Sequence, residues 1–219
     1  MSFATLDDLR SHLGKAPTAA DDPIYVAKQL HPLPKATTVD RAVFILQQVA
    51  GKRVLEFGAS GPMHDGIVKA AAFVLGVDRN AAPGVVARDL DEIEPSSDVY
   101  AGRRGLRLLW FETEAGQFTP DVIVCGEVIE HLSNPGYFLT RLKREYPGVP
   151  VVVTVPNAFS AAGQAWLRKG IENVNAEHVA WYSPKTIAVL LERHAFTIKT
   201  FHYYGGDGPT AEGLIVVTE

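Results

Sequence analysis

Between positions 125 and 132 the chain reads CGEVIEHL, which sets Glu127, Glu130 and His131 within five residues, directly after the apolar run Val122-Ile123-Val124. If 127–131 is the first turn of a helix, Glu127 and Glu130 (i, i+3) and Glu127 and His131 (i, i+4) share one face. Three roles are open to such a cluster. The acids can be structural, because the helix macrodipole favours each negative charge at an N-terminus by about 0.3–1 kcal/mol. His131 can be a general base, since imidazole has an unperturbed pKa of about 6.5, near the working range. Carboxylates and an imidazole together can also hold a divalent ion (Mg, Mn, Fe or Zn) that lowers the pKa of a bound hydroxyl. The histidine is the member a structural role explains least, because its charged form is disfavoured at a helix start.

A second set of residues lies further upstream. The apolar run Arg53–Phe57 leads into Gly58-Ala59-Ser60-Gly61-Pro62, where glycine and small residues let the backbone approach a ligand that a side chain would exclude. Asp78 ends the next apolar run, 22 residues after Glu56, the distance at which a strand-terminal acid accepts both hydroxyls of a ribose. The bland alternative is a tight strand-to-helix turn with Asp78 capping the next helix.

The elements that must position these residues alternate between strand and helix. Strands are expected at Arg53–Phe57, Phe73–Val77, Val122–Val124, Val149–Val155, Phe196–Tyr203 and Leu214–Thr218, with helices over about 63–71, 135–146 and 184–194. An earlier helix, capped by Thr37 or Thr38, carries Val39, Ala42, Val43, Leu46 and Val49 at helical spacing and stops at Gly51. Alternation of this kind implies a parallel sheet covered on both faces. The last two strands are joined by about ten turn-like residues, too few for a helical crossover, and should pair antiparallel. Val85-Val86-Ala87 begins only seven residues after Asp78, so Leu106–Phe111 is the expected third strand and 80–104 a helix with irregular connection. Residues 1–36 read as a helical appendage or lid before a single domain at 37–219.

Composition narrows the class. A chain of 219 residues, 47% hydrophobic and 21% charged, is an ordinary globular protein that buries a sizeable core. The net charge of −4 and pI near 6.0 give no footprint for nucleic acid, Arg103-Arg104 with Arg107 being the one tight basic cluster. The single cysteine, Cys125, excludes an internal disulfide and a multi-cysteine metal site. The acids of MSFATLDDLRSHLG do not fit a signal peptide, and no apolar run approaches the roughly 20 residues that span a bilayer. The expectation is a cytoplasmic protein with no membrane anchor.

With these residues in view, the chain from about 50 to 219 resembles the class I S-adenosylmethionine-dependent methyltransferases, especially small bacterial ones. VLEFGASG is similar to their first motif, LGVDRN to their second-strand acid, and DVIVCGEVIEHLSNPGYFL to their fourth-strand signature. VVVTVPNAFS and EHVAWYSPKTIAVLLERHAF resemble their fifth-strand and substrate-side segments. The resemblance implies an α/β, Rossmann-like sheet of seven strands, mostly parallel, with an antiparallel C-terminal hairpin and helices on both faces. It also implies S-adenosyl-L-methionine as cofactor. Glu56, Gly58, Ala59 and Gly61 would line its methionine end, with Gly126 alongside. Asp78 would hold the ribose and Arg79 lie by the adenine, and the acid after strand three, Glu112 or else Asp89, would meet the adenine amino group. The sequence departs from the family at Ser60 and Pro62, which stand where glycines are usual. A dinucleotide dehydrogenase needs the third of those glycines, so Pro62 counts against that competitor.

Glu127, Glu130 and His131, taken with a later His178 ahead of Trp181-Tyr182-Ser183-Pro184, resemble the arrangement in metal-dependent small-RNA 2′-O-methyltransferases and ubiquinone-pathway O-methyltransferases. That resemblance implies a divalent metal held by Glu127, Glu130, His131 and His178. Without a metal, His131, Glu127 and His178 are the catalytic candidates. The implied activity is methyl transfer to oxygen or nitrogen of a small-molecule or saccharide-like acceptor. The alternatives are a metal-dependent RNA 2′-O-methyltransferase and a non-catalytic S-adenosylmethionine-binding partner protein. Tyr25, Lys28 and His31 of the appendage, with Phe159, Trp166, Trp181 and Tyr182, could form a lid, the competing role for each aromatic being core packing. His194 and His202 fall on late structural elements.

Overall fold

The computed structural model describes residues 31–80, 82–87, 89–91, 112–113 and 116–219. Pro34–Glu219 forms one compact unit. The expected appendage lies outside the described residues as far as position 30, Tyr25 and Lys28 included.

Eight strands make the main sheet: β1 (Thr38–Val39), β2 (Arg53–Phe57), β3 (Phe73–Asp78), β4 (Val85–Ala87), β7 (Val122–Gly126), β8 (Val151–Pro156), β9 (Ile198–Tyr204) and β10 (Gly213–Thr218), in the order β1-β9-β10-β8-β7-β2-β3-β4. Glu112–Thr113 (β5) and Gly116–Gln117 (β6) form a separate antiparallel pair. Among the described residues the α-helices are α1 (Arg41–Val49), α2 (Gly61–Ala70), α3 (Pro135–Glu145), α4 (Ala161–Leu167) and α5 (Pro184–Arg193). β2, β3, β4, β7 and β8 run parallel, and β10 is antiparallel to both β8 and β9. The expected fold class is therefore observed, with eight strands in the sheet rather than seven.

Period-two alternation decides which face each strand residue covers. Leu55, Phe57, Ile123, Cys125, Val153 and Val155 bury against Phe138 and Leu142 of α3 and Ile187 and Leu191 of α5. Val54, Val122, Val124 and Val152 pack on the other face with Ile45 and Val49 of α1 and Ile67 of α2. Each such side chain, fully buried, contributes about 1.5–3 kcal/mol of transfer free energy. Caps fix the helix starts. Asn134 accepts from the Tyr137 amide ahead of Pro135, and Ser183 with Thr186 makes a reciprocal capping box ahead of Pro184.

Three local expectations are corrected. Val85–Ala87 is the strand beside β3, whereas Leu106–Phe111 lies outside the described residues. The long-crossover rule applies to a chain that must return a full strand length. Here β4 pairs only with Gly76, Val77 and Asp78, so the loop retraces two residues, about 7 Å. A left-handed Gly84 (φ +78°) helps it turn. The second correction concerns α1, which is capped by Asp40, whose side chain accepts from the Val43 amide, while Thr38 belongs to the edge strand β1. The buried stripe of α1 is accordingly Ile45 and Val49, and Val43 is exposed. Finally, 127–131 is a turn rather than a helix, and α3 begins only at Pro135.

Gly213 pairs with Tyr204 across β9 and β10, and the tyrosine ring occupies the space a Cβ would take. Gly213→Ala must displace that ring, and overpacking of this kind costs about 1–3 kcal/mol. The expected loss is read as a lowered midpoint in chemical denaturation with an unchanged slope.

Candidate functional site

The chain runs from β2 outward to β3 and β4, then returns to lay β7 on the other side of β2. In an open α/β sheet this reversal of direction leaves a crevice beyond the carboxyl ends of the strands, where ligands bind. A cavity of about 410 Å³ lies there, lined by Glu56, Gly58, Asp78, Arg79, Asp89, Gly126, Glu127 and His131 among others. Its floor depends on Gly58, which adopts φ +76° and approaches β7 so closely that a Cβ would meet Val128 Cγ2 at 2.7 Å and the Gly126 carbonyl oxygen at 3.3 Å. No other residue type fits that position without moving the strand ends apart.

The expected cofactor residues divide between two places. Glu56, Gly58, Asp78, Arg79 and Gly126 line this cavity. Ala59 and Gly61 instead line a neighbouring hollow of about 510 Å³, whose wall also includes Asp78. Asp78 accepts from the Asn80 amide at 2.8 Å, and Arg79 pairs with Glu177 across the mouth of the cavity at 3.1 Å. Glu112 is the expected adenine contact only if Leu106–Phe111 is strand three. With Val85–Ala87 in the sheet, the acid after that strand is Asp89, and it lines the cavity, whereas Glu112 opens the separate β5–β6 hairpin.

The Glu127–His131 turn gives its three chemical residues different surroundings. Glu127 sits at φ +57°, a left-handed conformation that costs a non-glycine residue about 1–2 kcal/mol. Its carboxylate accepts from the Tyr204 hydroxyl at 2.7 Å and from Thr154 Oγ1 at 2.9 Å, and Arg41 Nη1 of α1 lies 3.6 Å away. Glu130, by contrast, is fully buried. Neither of its carboxylate oxygens has a hydrogen-bond partner among the described residues. Burial, reinforced by the charge on Glu127, pushes its carboxyl up to about 8. His131 faces the cavity, and its ring meets that of His178 edge-on with centroids 4.5 Å apart. Ligand atoms of Glu130, His131 and His178 all lie within 4.8 Å of one another. The structure thus brings three of the four expected metal ligands together and ties Glu127 to Tyr204, Thr154 and Arg41. Desolvation and the neighbouring His131 hold the His178 imidazole below its ordinary range.

His178 also borders a second cavity, of about 230 Å³, lined by Asn157, Ser160, Asn173, Asn175, Trp181 and Glu212 among others. The His131–His178 pair therefore stands between two spaces. Of the aromatic residues considered for a lid, Tyr182 is a core residue. Phe159, Trp166 and Trp181 are each more than two-fifths exposed, which excludes core packing for them.

Sequence reasoning missed Arg41, Thr154 and Tyr204, which reach Glu127 from distant elements. It also missed His64, whose Nδ1 lies 2.7 Å from Glu56 Oε2. The signal for His64 was available: a helix that starts at Gly61 turns its fourth residue back toward the strand it left.

Comparison with known proteins agrees with this geometry. The profile of the family described as Methyltransferase domain matches residues 28–200. The ubiquinone biosynthesis O-methyltransferase of Hahella chejuensis (strain KCTC 2396) is 29% identical over 161 residues, which are 69% of this chain and 66% of that protein. The crystal structure of the small RNA methyltransferase HEN1 superposes with a TM-score of 0.56 at 18% identity, over 82% of this chain and 24% of that one. The N-methyltransferase NodS from Bradyrhizobium japonicum WM9, solved with S-adenosyl-L-homocysteine, gives a TM-score of 0.51 at 17% identity over 97% and 96% of the two chains. These last two likenesses are of fold. With its switch-point cavity, its antiparallel final hairpin and a family match over most of its length, the chain belongs to the methyltransferase domain family, as a class I domain dependent on S-adenosylmethionine.

Proposed function

We propose that this domain transfers the methyl group of S-adenosyl-L-methionine to an oxygen or nitrogen of a small, uncharged, saccharide-like acceptor in the cytoplasm. The observation that carries the reading is the His131–His178 pair, standing between a switch-point cavity and a smaller polar one. In the larger cavity, Asp78 would hold the ribose hydroxyls, Asp89 and Arg79 the adenine, and Glu56, Gly58 and Gly126 the methionine end. Ala59 and Gly61 would act through the shape of the turn. The cofactor brings an already activated methyl sulfonium. The chain's share is to align the acceptor, exclude water and accept the acceptor's proton. His178 suits the last task, because an imidazole kept neutral has a ring nitrogen free to take a proton.

The smaller cavity favours the acceptor class. Amides, a hydroxyl, one carboxylate and an exposed tryptophan line it, and no lysine or arginine is among its lining residues. That wall suits a neutral, hydroxyl-rich molecule stacked on Trp181, and together with the net charge of −4 it disfavours an RNA backbone. Among the described residues no helix is long and apolar enough to cross a membrane.

A metal-assisted form of the same reaction is favoured by the unpartnered Glu130 carboxylate beside two imidazoles. One carboxylate and two histidines fit Mn, Fe or Zn better than Mg. Glu130, His131 and His178 would hold the ion, which would lower the pKa of an acceptor hydroxyl. Glu127 would complete the set only by leaving Tyr204.

Isothermal titration should show saturable binding of S-adenosylhomocysteine, no heat with NAD, and binding at least about tenfold weaker in Asp78→Ala. NAD binding without a response to either sulfur ligand would overturn the assignment. Protein stripped with EDTA should lose methyl transfer and regain it with Mn²⁺ or Zn²⁺. Unchanged turnover after stripping would eliminate the metal and leave the histidines as the proton acceptors.

A further inference from the structure

Glu56 interrupts an apolar face. Along β2, Val54 packs with Ile45, Val49 and Ile67 on the α1–α2 side of the sheet, and alternation places Glu56 on that same side with 2% of its surface exposed. A carboxylate so placed needs a partner, because an isolated buried charge neutralises by taking up a proton. His64, one turn into α2, is that partner. Its Nδ1 lies 2.7 Å from Glu56 Oε2, with the side chains 15% and 3% exposed. An ionised carboxylate only accepts, so Nδ1 carries the proton and donates it.

The sheet is shaped to admit the ring. A Cβ on Gly76 of β3 would meet Ala59 Cβ at 2.9 Å and His64 Cε1 at 3.2 Å, so glycine at 76 leaves the slot in which the imidazole lies. His64 also lines the hollow beside the glycine turn, whereas Glu56 lines the cavity at the strand ends. The pair therefore joins two spaces that share Ser60, Asp78 and Asn80 in their walls.

From this geometry we infer that His64 is a positioning residue for the cofactor site: it fixes the rotamer of Glu56 and keeps that carboxylate charged, so that it can receive the cationic amino group of the cofactor's methionine end. The inference rests on the cofactor reading under Proposed function and adds a residue to it. The charged groups on the walls of these two spaces are Asp78 and Arg79 at the end of β3, Asp89 and Asp91 after β4, Asp65 and Lys69 on α2 itself, Arg41 of α1, Glu127 and His131 after β7, and Glu177 before α5. Burial drives the Glu56 carboxyl above its ordinary range, the His64 hydrogen bond and charge pull it back, and Asp78 raises it again. Loss of His64 removes the hydrogen bond and charge that pull the carboxyl down, so it ionises at higher pH.

The test is calorimetric binding of S-adenosylhomocysteine to wild type, His64→Leu, His64→Asn and Asp78→Ala between about pH 6.5 and 8.5. His64→Leu should bind about tenfold or more weakly at the low end. The ratio of its Kd to that of wild type should shrink as pH rises and Glu56 regains its charge. His64→Asn retains an N–H donor near the Nδ1 position and should restore most of the affinity. Wild-type affinity in His64→Leu would overturn the inference, as would a deficit that neither pH nor asparagine relieves, which would mark simple packing. In both cases weak binding by Asp78→Ala would show that the cofactor reading itself still stands. If wild type does not bind S-adenosylhomocysteine, both readings fall together.

Discussion

Four elements meet at one carboxylate. Glu127 belongs to the turn after β7, yet its oxygen is held by Tyr204 from the end of β9 and Thr154 from β8, and it faces Arg41 at the start of α1. These contacts offset the left-handed backbone of Glu127. Hydrogen bonds to a charged group contribute about 1.5–3 kcal/mol each, enough to exceed a conformational cost of about 1–2 kcal/mol. Further along the turn the Glu130 carbonyl accepts from the Val179 and Ala180 amides, its side chain is buried, and His131 lines the cavity. The path of the turn that carries His131 thus depends on a strained residue whose carboxylate Tyr204 holds.

The same economy of space governs the cofactor side. Gly58 and Gly76 are both sites of close approach, the first between β2 and the turn after β7, the second between β3 and the start of α2. Together they draw the ends of β2, β3 and β7 close enough to share one cavity wall. The polar residue that this wall carries on its α1–α2 side, Glu56, is tolerable there because His64 reaches it through the slot at Gly76. Packing and electrostatics are not separable at this point: a larger residue at 76 would remove the partner of a buried charge.

Most of the fold was legible because the signals were short-range. Alternation in Val54–Phe57 and Val122–Cys125, and Asn134-Pro135 and Ser183-Pro184 ahead of helical spacing, are read from a handful of adjacent residues. The β4 strand was not legible, because the crossover rule presumes a full-length return and the register at Gly76↔Val85 is a tertiary fact. The turn at 127–131 misled for a different reason. The two acids fit a helix start, and nothing local announces that a glutamate takes a left-handed conformation. Asn134-Pro135 did mark the true start, four residues after the acidic cluster. Of the site, Asp78, Gly58 and the histidine pair could be named from sequence, whereas Tyr204 and Thr154 come to Glu127 from 77 and 27 residues away. Such convergence has no local signature.

The two cavities also explain why the histidines are placed between helices and not on one. A ring on α3 would be held by the helix axis at one distance from the strand ends. His131 sits on a turn between β7 and α3, and His178 in the connection between α4 and α5, where Asn175 accepts from the Glu177 amide and its carbonyl from the His178 amide. Their edge-on contact stands between the cavity at the strand ends and the smaller cavity lined by Asn157, Asn173 and Trp181. In-line transfer requires the two reactants to approach to about 3–3.5 Å. The sheet places the cavity at the strand ends, and the two imidazoles, carried on a turn and a connection, line one space each.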